Sequence, residues 1–176
     1  FVIYLSHFLN MGCLRAPYFI MLYELNKTYH KKFEDVKFDN LDEVSLLKAF
    51  LNGSTISRFI ELWLARNYDK LMDSDTVEYD LWDFEKKRKV EVKSFTKGGC
   101  NFMPSYMIGA GRKLEEEKAY EYIDGKIFCI VDIIDYPNIY YKFIEGDVLQ
   151  WDYPKYKIPI KQRTTFFKRS LAYLPS

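Results

Sequence analysis

The sequence predicts an α/β (α+β) fold in which helices flank a mixed β-sheet. Apolar residues recur at helical spacing between residues 17 and 72, and two short segments between residues 76 and 95 alternate in polarity around a basic turn. Residues 127–134 are almost wholly apolar, which is typical of a strand covered on both faces. Helices that precede and interrupt such strands are expected to enclose one mixed sheet.

Three helices are expected before the first strand. Pro17 suits the first turn of a helix, because its missing N–H is not needed there. Asn40 followed by Glu43 resembles a capping box, and Ser54 or Thr55 can cap the third helix. The third helix carries its apolar residues in one narrow arc, which should face the core. The expected helices cover residues 17–31, 40–50 and 54–72.

The period of the pattern then changes to that of strands. Residues 76–84 and 89–95 alternate in polarity on either side of Glu85–Arg88, which predicts a β-hairpin. A loop follows, then a helix that Asp124-Gly125 ends, a central strand, and a further strand after a turn at Tyr136-Pro137-Asn138. The expected ranges are 97–104 for the loop, 112–123 for the helix, 127–134 and 139–144 for the strands, and short strands and turns beyond them.

A chain of 176 residues fits one domain, 1–176. We expect a core at about 54–145, N-terminal helices at 16–50, and C-terminal strands and a tail at 146–176. The hydrophobic fraction of 48% excludes a disordered chain. Three widely spaced cysteines favour a reducing compartment over a disulfide framework, and Cys129 is expected in the core. Polar residues interrupt the apolar N-terminal segment, so we expect a soluble intracellular protein with no membrane partner.

Charge is distributed unevenly along a chain whose formal net charge is only +1. Residues 86–113 hold eight basic residues and one acid, a net charge of +7, and residues 151–176 carry +5. Basic surfaces of this kind suit the backbone of a nucleic acid. The residues expected to contact nucleic acid are Lys86, Lys87, Arg88, Lys97, Arg112 and Lys113.

The predicted hairpin brings two acids and a lysine to one face. With a turn centred on Lys86-Lys87, Trp82 would lie opposite Glu91 and Asp80 opposite Lys93. Residues of equal parity share a face, so Asp80, Glu91 and Lys93 should converge, while Val90 and Val92 are buried on the other side. An ordinary cross-strand salt bridge on the surface is the alternative interpretation.

Such a cluster suits phosphodiester hydrolysis with a divalent cation. Carboxylates are hard ligands for Mg²⁺ or Mn²⁺, and the backbone carbonyl of Val92 could add another oxygen. The ammonium group of Lys93 could orient or deprotonate a water, or stabilise charge that develops on the phosphate.

Asp80, ten intervening residues and then Glu91-Val92-Lys93-Ser94 resemble the PD-(D/E)xK nuclease superfamily, although Tyr79 stands where the pattern has Pro. The resemblance covers about residues 54–145 and implies a restriction-endonuclease-like core. It implies that Asp80 and Glu91 bind the metal and that Lys93 assists the attacking water. Glu61, from the preceding helix, matches the additional ligand found in some members. The alternative for Glu61 is a surface glutamate paired with Arg58.

The resemblance implies a Mg²⁺-dependent endonuclease that acts on double-stranded DNA, like a small type II restriction enzyme. A junction resolvase, a homing or repair nuclease, and an RNA endonuclease of the cap-snatching type are alternatives with the same fold. A non-catalytic nucleic-acid-binding module is the alternative from another class. Since each strand of a duplex needs one active site, a homodimer is expected.

Overall fold

The computed structural model describes residues 21–34, 45, 48, 53–74, 76, 78–108, 114–168 and 171–173. Its first half contains β1 Thr28–Lys32, α1 Gly53–Asn67, β2 Leu71–Asp73, β3 Leu81–Asp83, β4 Arg88–Phe95 and β5 Cys100–Asn101. Its second half contains α2 Glu116–Ile123, β6 Ile127–Asp132, β7 Asn138–Glu145, α3 Gly146–Asp152, β8 Lys157–Ile158, a 3₁₀ turn at Ile160–Gln162, α4 Arg163–Lys168 and β9 Leu171–Tyr173. The predicted mixed class of helices and strands is confirmed.

Seven strands form one mixed sheet in the order β2-β3-β4-β6-β7-β1-β9. β4 is parallel to β6 and β1 is parallel to β9, whereas the other neighbouring pairs are antiparallel. The connection from β4 to β6 contains α2, as a crossover between parallel strands requires. β6 occupies the centre of the sheet and is buried along its whole length, as its apolar sequence predicted.

Each face of the sheet has its own hydrophobic core. On one face, which we call the α1 face, Val90 and Val92 of β4 pack in a cluster with Ile60 and Leu64 of α1. On the other, the α2 face, Phe95 and residues of β6 pack with α2, α3 and α4. Because side chains alternate along a strand, Glu91 and Lys93 of β4 belong to the α2 face.

The third predicted helix is shorter than expected. α1 ends at Asn67, not at residue 72, and Leu71 lies in β2. The side-chain amide of Asn67 donates a hydrogen bond of 2.8 Å to the carbonyl of Trp63, one turn earlier in the helix. Asn67 is the last residue of the helix, and its side chain bonds to the final turn.

The first predicted helix, over residues 17–31, is wrong where the structure describes it. Residues 21–27 are not helical, and Thr28–Lys32 forms β1, which lies between β7 and β9. The rings of Tyr29 and Tyr141 stack with centroids 5.3 Å apart. Aromatic and β-branched residues favour a strand once neighbouring strands are available, and this tertiary pairing overrides the local helical pattern. Residues 17–20 lie outside the described residues.

Other boundaries differ from the sequence prediction. Only Leu81–Asp83 of the predicted strand 76–84 pairs with β4, and the C-terminal region contains two helices, α3 and α4, that were not expected. β7 is confirmed, and so is the helix over residues 116–123. Ser45 and Lys48 are helical, as expected, and the rest of the second predicted helix lies outside the described residues.

Two expectations about the chain as a whole can be compared with the structure. Cys129 is buried and free, as predicted. In the described part of the chain, the helices are too short or too polar to cross a membrane.

Candidate functional site

Asp80, Glu91 and Lys93 meet on the α2 face, as their parity predicted. The Nζ of Lys93 lies 2.6 Å from Glu91 Oε1, and Asp80 Oδ2 accepts a hydrogen bond of 2.7 Å from the backbone N–H of Val92. The Glu91 and Lys93 side chains retain only 10% and 20% of their exposure. The cluster is thus a mostly desolvated charge group and not a surface salt bridge.

The predicted hairpin register was wrong by two residues. The turn occupies Phe84–Lys87, so Leu81 pairs with Val90 and Trp82 pairs with Lys89. Continuing this register places Asp80, just before β3, opposite Glu91. A shift of two residues keeps every side chain on its face, which is why the same three residues still converge.

The two carboxylates repel each other in a region with little water. The pKa of Asp80 is raised from 3.8 to about 7, first by burial and then by the negative charge of Glu91, with a smaller contribution from Glu61. The N–H of Val92 and the charge of Lys93 oppose this rise only in part. Ionised Asp80 therefore lacks sufficient positive charge nearby, which a divalent cation would supply.

Glu61 is buried on α1, with 9% residual exposure, and is not the surface glutamate of the alternative interpretation. Its carboxylate accepts a hydrogen bond of 3.1 Å from Arg58, which also forms a bidentate pair with Asp73. The predicted pairing with Arg58 is present. Since Glu61 also contributes to the raised pKa of Asp80, it lies within electrostatic reach of the cluster.

α1 is fixed against β4 close to these charges. The hydroxyls of Ser57 and Ser94 lie 3.0 Å apart, which joins the helix to the strand one residue after Lys93. This contact explains how Glu61, on the α1 side of the sheet, comes near a cluster that belongs to the other face.

Lys126 and Tyr122 belong to the same region, although the sequence did not single them out. Lys126 is 7% exposed, and its Nζ lies 3.5 Å from the centroid of the Tyr122 ring and 3.2 Å from the carbonyl oxygen of Glu78. Burial lowers the pKa of Lys126, and the nearby Glu91 opposes that effect. Burial and then the carboxylate of Glu91 raise the pKa of Tyr122.

In the sequence, Lys126 stands just before a buried strand and two residues before Phe128, so its side chain is expected on the same face of the sheet as that of Phe128. That this is also the face of Glu91 follows only from the parallel pairing of β4 with β6, in which Val90 lies beside Ile127. Such pairing is a tertiary feature, so sequence spacing could not supply it.

The donor set fits a small, hard cation. In the described part of the chain, no group of three or more His, Cys, Asp and Glu side chains is arranged to hold a metal ion. Mg²⁺, however, is commonly bound by one or two carboxylates while it keeps several waters. Asp80 and Glu91 supply the two carboxylates, and Glu61 is not gathered with them into one group.

Val92 can provide a third oxygen. Its N–H points toward Asp80, and in a strand the N–H and C=O of one residue point to the same side. The pairing of β3 with β4 stops at Val90, so the Val92 carbonyl lies at an edge that strand pairing does not use. The predicted ligand set of Asp80, Glu91 and Val92 is thus consistent with the backbone directions.

The predicted nucleic-acid-binding residues have mixed surroundings. Lys97 is exposed just beyond β4, and Lys86 and Lys87 are exposed in the turn before it. Arg88 instead donates hydrogen bonds to the carbonyls of Gly125 and Lys126 and pairs with Glu145. These contacts give Arg88 a structural role in joining β4 to the start of β6. Arg112 and Lys113 lie outside the described residues.

Comparisons of the chain with protein-family models, curated proteins and solved structures found no match. Function therefore has to be inferred from the chemistry of the site itself.

Proposed function

We propose that the protein is a Mg²⁺- or Mn²⁺-dependent endonuclease with a restriction-endonuclease-like core, and that it hydrolyses phosphodiester bonds of DNA. The observation that carries the proposal is the desolvated cluster of Asp80, Glu91 and Lys93, in which burial and the charge of Glu91 raise the pKa of Asp80 to about 7. Lys93 pairs with Glu91, but a cluster that served stability alone would have no reason to bury a second carboxylate, Asp80, without a salt bridge of its own in the described part of the chain.

Each residue has a distinct role in this proposal. Asp80, Glu91 and the Val92 carbonyl would hold the metal, which when bound polarises the phosphate and lowers the pKa of a coordinated water. Lys93, which pairs with Glu91, would orient the attacking water and oppose the charge that builds up on the phosphate. Its ammonium group reaches the carboxylate and still has two further N–H donors to offer.

The order of elements supports the restriction-endonuclease-like assignment. A helix, α1, precedes an antiparallel pair, β3 and β4, and a crossover through α2 leads to β6, which is parallel to β4. The candidate site lies where β3 begins, at the part of β4 that β3 leaves unpaired. Backbone groups of β4 are therefore free of strand pairing there, and the side chains stand on a rigid strand.

The deciding experiment is a cleavage assay on plasmid DNA, a synthetic four-way junction and single-stranded RNA. We expect cleavage of duplex DNA with Mg²⁺ or Mn²⁺, binding with little turnover in Ca²⁺, and no cleavage in excess EDTA. Asp80→Ala, Glu91→Ala and Lys93→Ala should each abolish cleavage while the circular dichroism spectrum stays that of the wild type.

Lys32→Ala and Glu34→Ala are matched controls. These two exposed residues form an ion pair of 2.9 Å beside β1, three positions from β4 in the sheet. Their variants should cleave like the wild type. Cleavage that survives EDTA, or wild-type rates in two of the three site variants, would refute the proposal. Selective cutting of the junction or the RNA would keep the chemistry and change the substrate.

A further inference from the structure

Lys126 is a buried cation that forms no ion pair in the described part of the chain. Its ammonium group donates one hydrogen bond, to the Glu78 carbonyl, and in the described part of the chain no carboxylate lies within ion-pair distance of it. The ring of Tyr122 covers one side of the ammonium at 3.5 Å. A buried charge without an ion pair is costly, and an anionic ligand would remove that cost.

The backbone directs Lys126 across β4. Lys126 precedes β6, which lies on one side of β4, whereas Glu78 precedes β3, which lies on the other side. To reach the Glu78 carbonyl, the lysine side chain has to pass over β4 on the α2 face. Glu91 and Asp80 lie on that same face, and both influence the pKa of Lys126.

Tyr122 adds a buried hydroxyl at the same place. Its hydroxyl is buried and, in the described part of the chain, no acceptor stands in hydrogen-bonding geometry to it. After burial, the charge of the Glu91 carboxylate and its hydrogen-bonding interaction with the hydroxyl raise the pKa of Tyr122, so the hydroxyl is directed toward Glu91 although it does not reach the geometry of a full hydrogen bond. Buried hydroxyls normally have a partner, and one without a partner beside a proposed site suggests a ligand.

We propose that Lys126 and Tyr122 form a phosphate-binding subsite that holds a backbone phosphate of the nucleic acid beside Glu91. This inference rests on the proposed nuclease function and assigns two residues that the Asp80, Glu91 and Lys93 pattern does not contain. The Lys126 ammonium supplies the charge, the Tyr122 ring positions it, and the Tyr122 hydroxyl donates a second hydrogen bond to the phosphate. Both residues act on binding and positioning, and neither transfers a proton.

The test measures binding of a fluorescein-labelled DNA duplex in Ca²⁺ as a function of salt concentration. One phosphate contact contributes about 0.9 to the slope of log K against log salt for duplex DNA. We expect Lys126→Gln to reduce the slope by about this amount and Lys126→Arg to retain it. A misfolded fraction would lower the active concentration without changing the slope, so the slope separates lost contact from lost fold.

Tyr122→Phe is the second, gentler variant. It removes only a hydroxyl that has no partner in the described structure, so the fold should be kept. We expect the dissociation constant for the duplex to rise about 10-fold, as for loss of a hydrogen bond to a charged group. If the hydroxyl were merely structural, Tyr122→Phe would leave duplex binding unchanged. Lys32→Gln, on the exposed ion pair beside β1, is the control and should leave both slope and affinity unchanged.

The outcomes separate this inference from the proposed function. Unchanged slopes in Lys126→Gln together with unchanged binding in Tyr122→Phe would overturn the subsite, while metal-dependent cleavage by the wild type would still support the nuclease. A wild-type chain that binds duplex but never cleaves would overturn the nuclease function, and the slopes would then still decide whether the subsite exists. A chain that binds no nucleic acid would overturn both.

Discussion

Replacing Asp80 by Asn should stabilise the protein while it abolishes the proposed cleavage. The pKa of Asp80 is about 7 in the folded chain and 3.8 without its surroundings. Between these two pH values, the native state keeps a proton on Asp80 that the unfolded state has already lost. Stability therefore falls as pH rises from about 4 to about 7. At higher pH the ionised carboxylate costs the native state roughly 4 kcal/mol.

The asparagine side chain in Asp80→Asn would have no charge to desolvate, and its oxygen could still accept the Val92 N–H. We expect the free energy of unfolding of this variant to exceed that of the wild type by about 2–4 kcal/mol at pH 8 and by less than about 2 kcal/mol at pH 5. Urea unfolding is the suitable measurement, because guanidinium salt would screen the charges being compared.

Metal should reduce this difference in stability. At a Mg²⁺ concentration 100 times its dissociation constant, binding adds about 2.7 kcal/mol to the wild type. Asp80→Asn, with one carboxylate removed, should gain much less. The unfolding curves should therefore approach each other as Mg²⁺ is added at pH 8.

Asp83→Asn, three residues further along the chain in β3, is the matched control. Asp83 is fully buried on the α1 face, and its carboxylate accepts hydrogen bonds from the Tyr23 hydroxyl and the N–H groups of Glu85 and Lys86. Because these donors would lose a charged acceptor, Asp83→Asn should destabilise the protein by about 1–3 kcal/mol. If Asp80→Asn is less stable than the wild type at pH 8 without metal, Asp80 is favourably paired and the reasoning is wrong.

Two further variants test neighbouring parts of the structure. Glu61→Gln should lower the cleavage rate about 10–100-fold and raise the Mg²⁺ concentration needed for half-maximal rate, as for loss of a group that supports a metal site. An unchanged rate and metal dependence would leave Glu61 as the buried partner of Arg58 only. Gly146→Ala should destabilise the fold by more than about 2 kcal/mol in urea unfolding, since a Cβ there would lie 2.6 Å from the Ile123 carbonyl oxygen. A stability equal to the wild type would show that the α2–α3 contact can relax.

The face of each hairpin residue could be predicted because alternation in a strand is a local property. The register could not, since it depends on which residues form the turn. The turn at Phe84–Lys87 is fixed by Asp83, whose carboxylate accepts two backbone N–H groups from inside it. An Asp at the start of a turn is a recognisable signal. A turn that begins after Asp83 lies at the observed position, and it places Asp80 opposite Glu91.

Elements that depend on partners distant in sequence were predicted poorly. Thr28–Lys32 is a strand because β7 and β9 lie on either side of it, about 110 and 140 residues further along the chain. Lys126 enters the site through the parallel register of β4 and β6, which alternation within either strand leaves undetermined, and Tyr122 enters it from α2, which packs on that face. The residues contributed by one hairpin were therefore foreseen, and those contributed by the crossover were not.

The carboxylates of Asp80 and Glu91, and not a buried lysine by itself, indicate function in this chain. Lys93 and Lys142 lie in one row across the sheet, joined through Ile130, so both belong to the α2 face. Lys142 is 4% exposed, and its ammonium group donates a hydrogen bond to the Phe166 carbonyl and lies over the Phe166 ring. An apolar core can provide both contacts. Lys93 instead lies beside two carboxylates, and the charge of Glu91 raises the pKa of Asp80. Substituting Asp80 with a neutral residue would stabilise such a cluster, and a carboxylate held at that cost is expected where the charges bind a cation and act on a substrate.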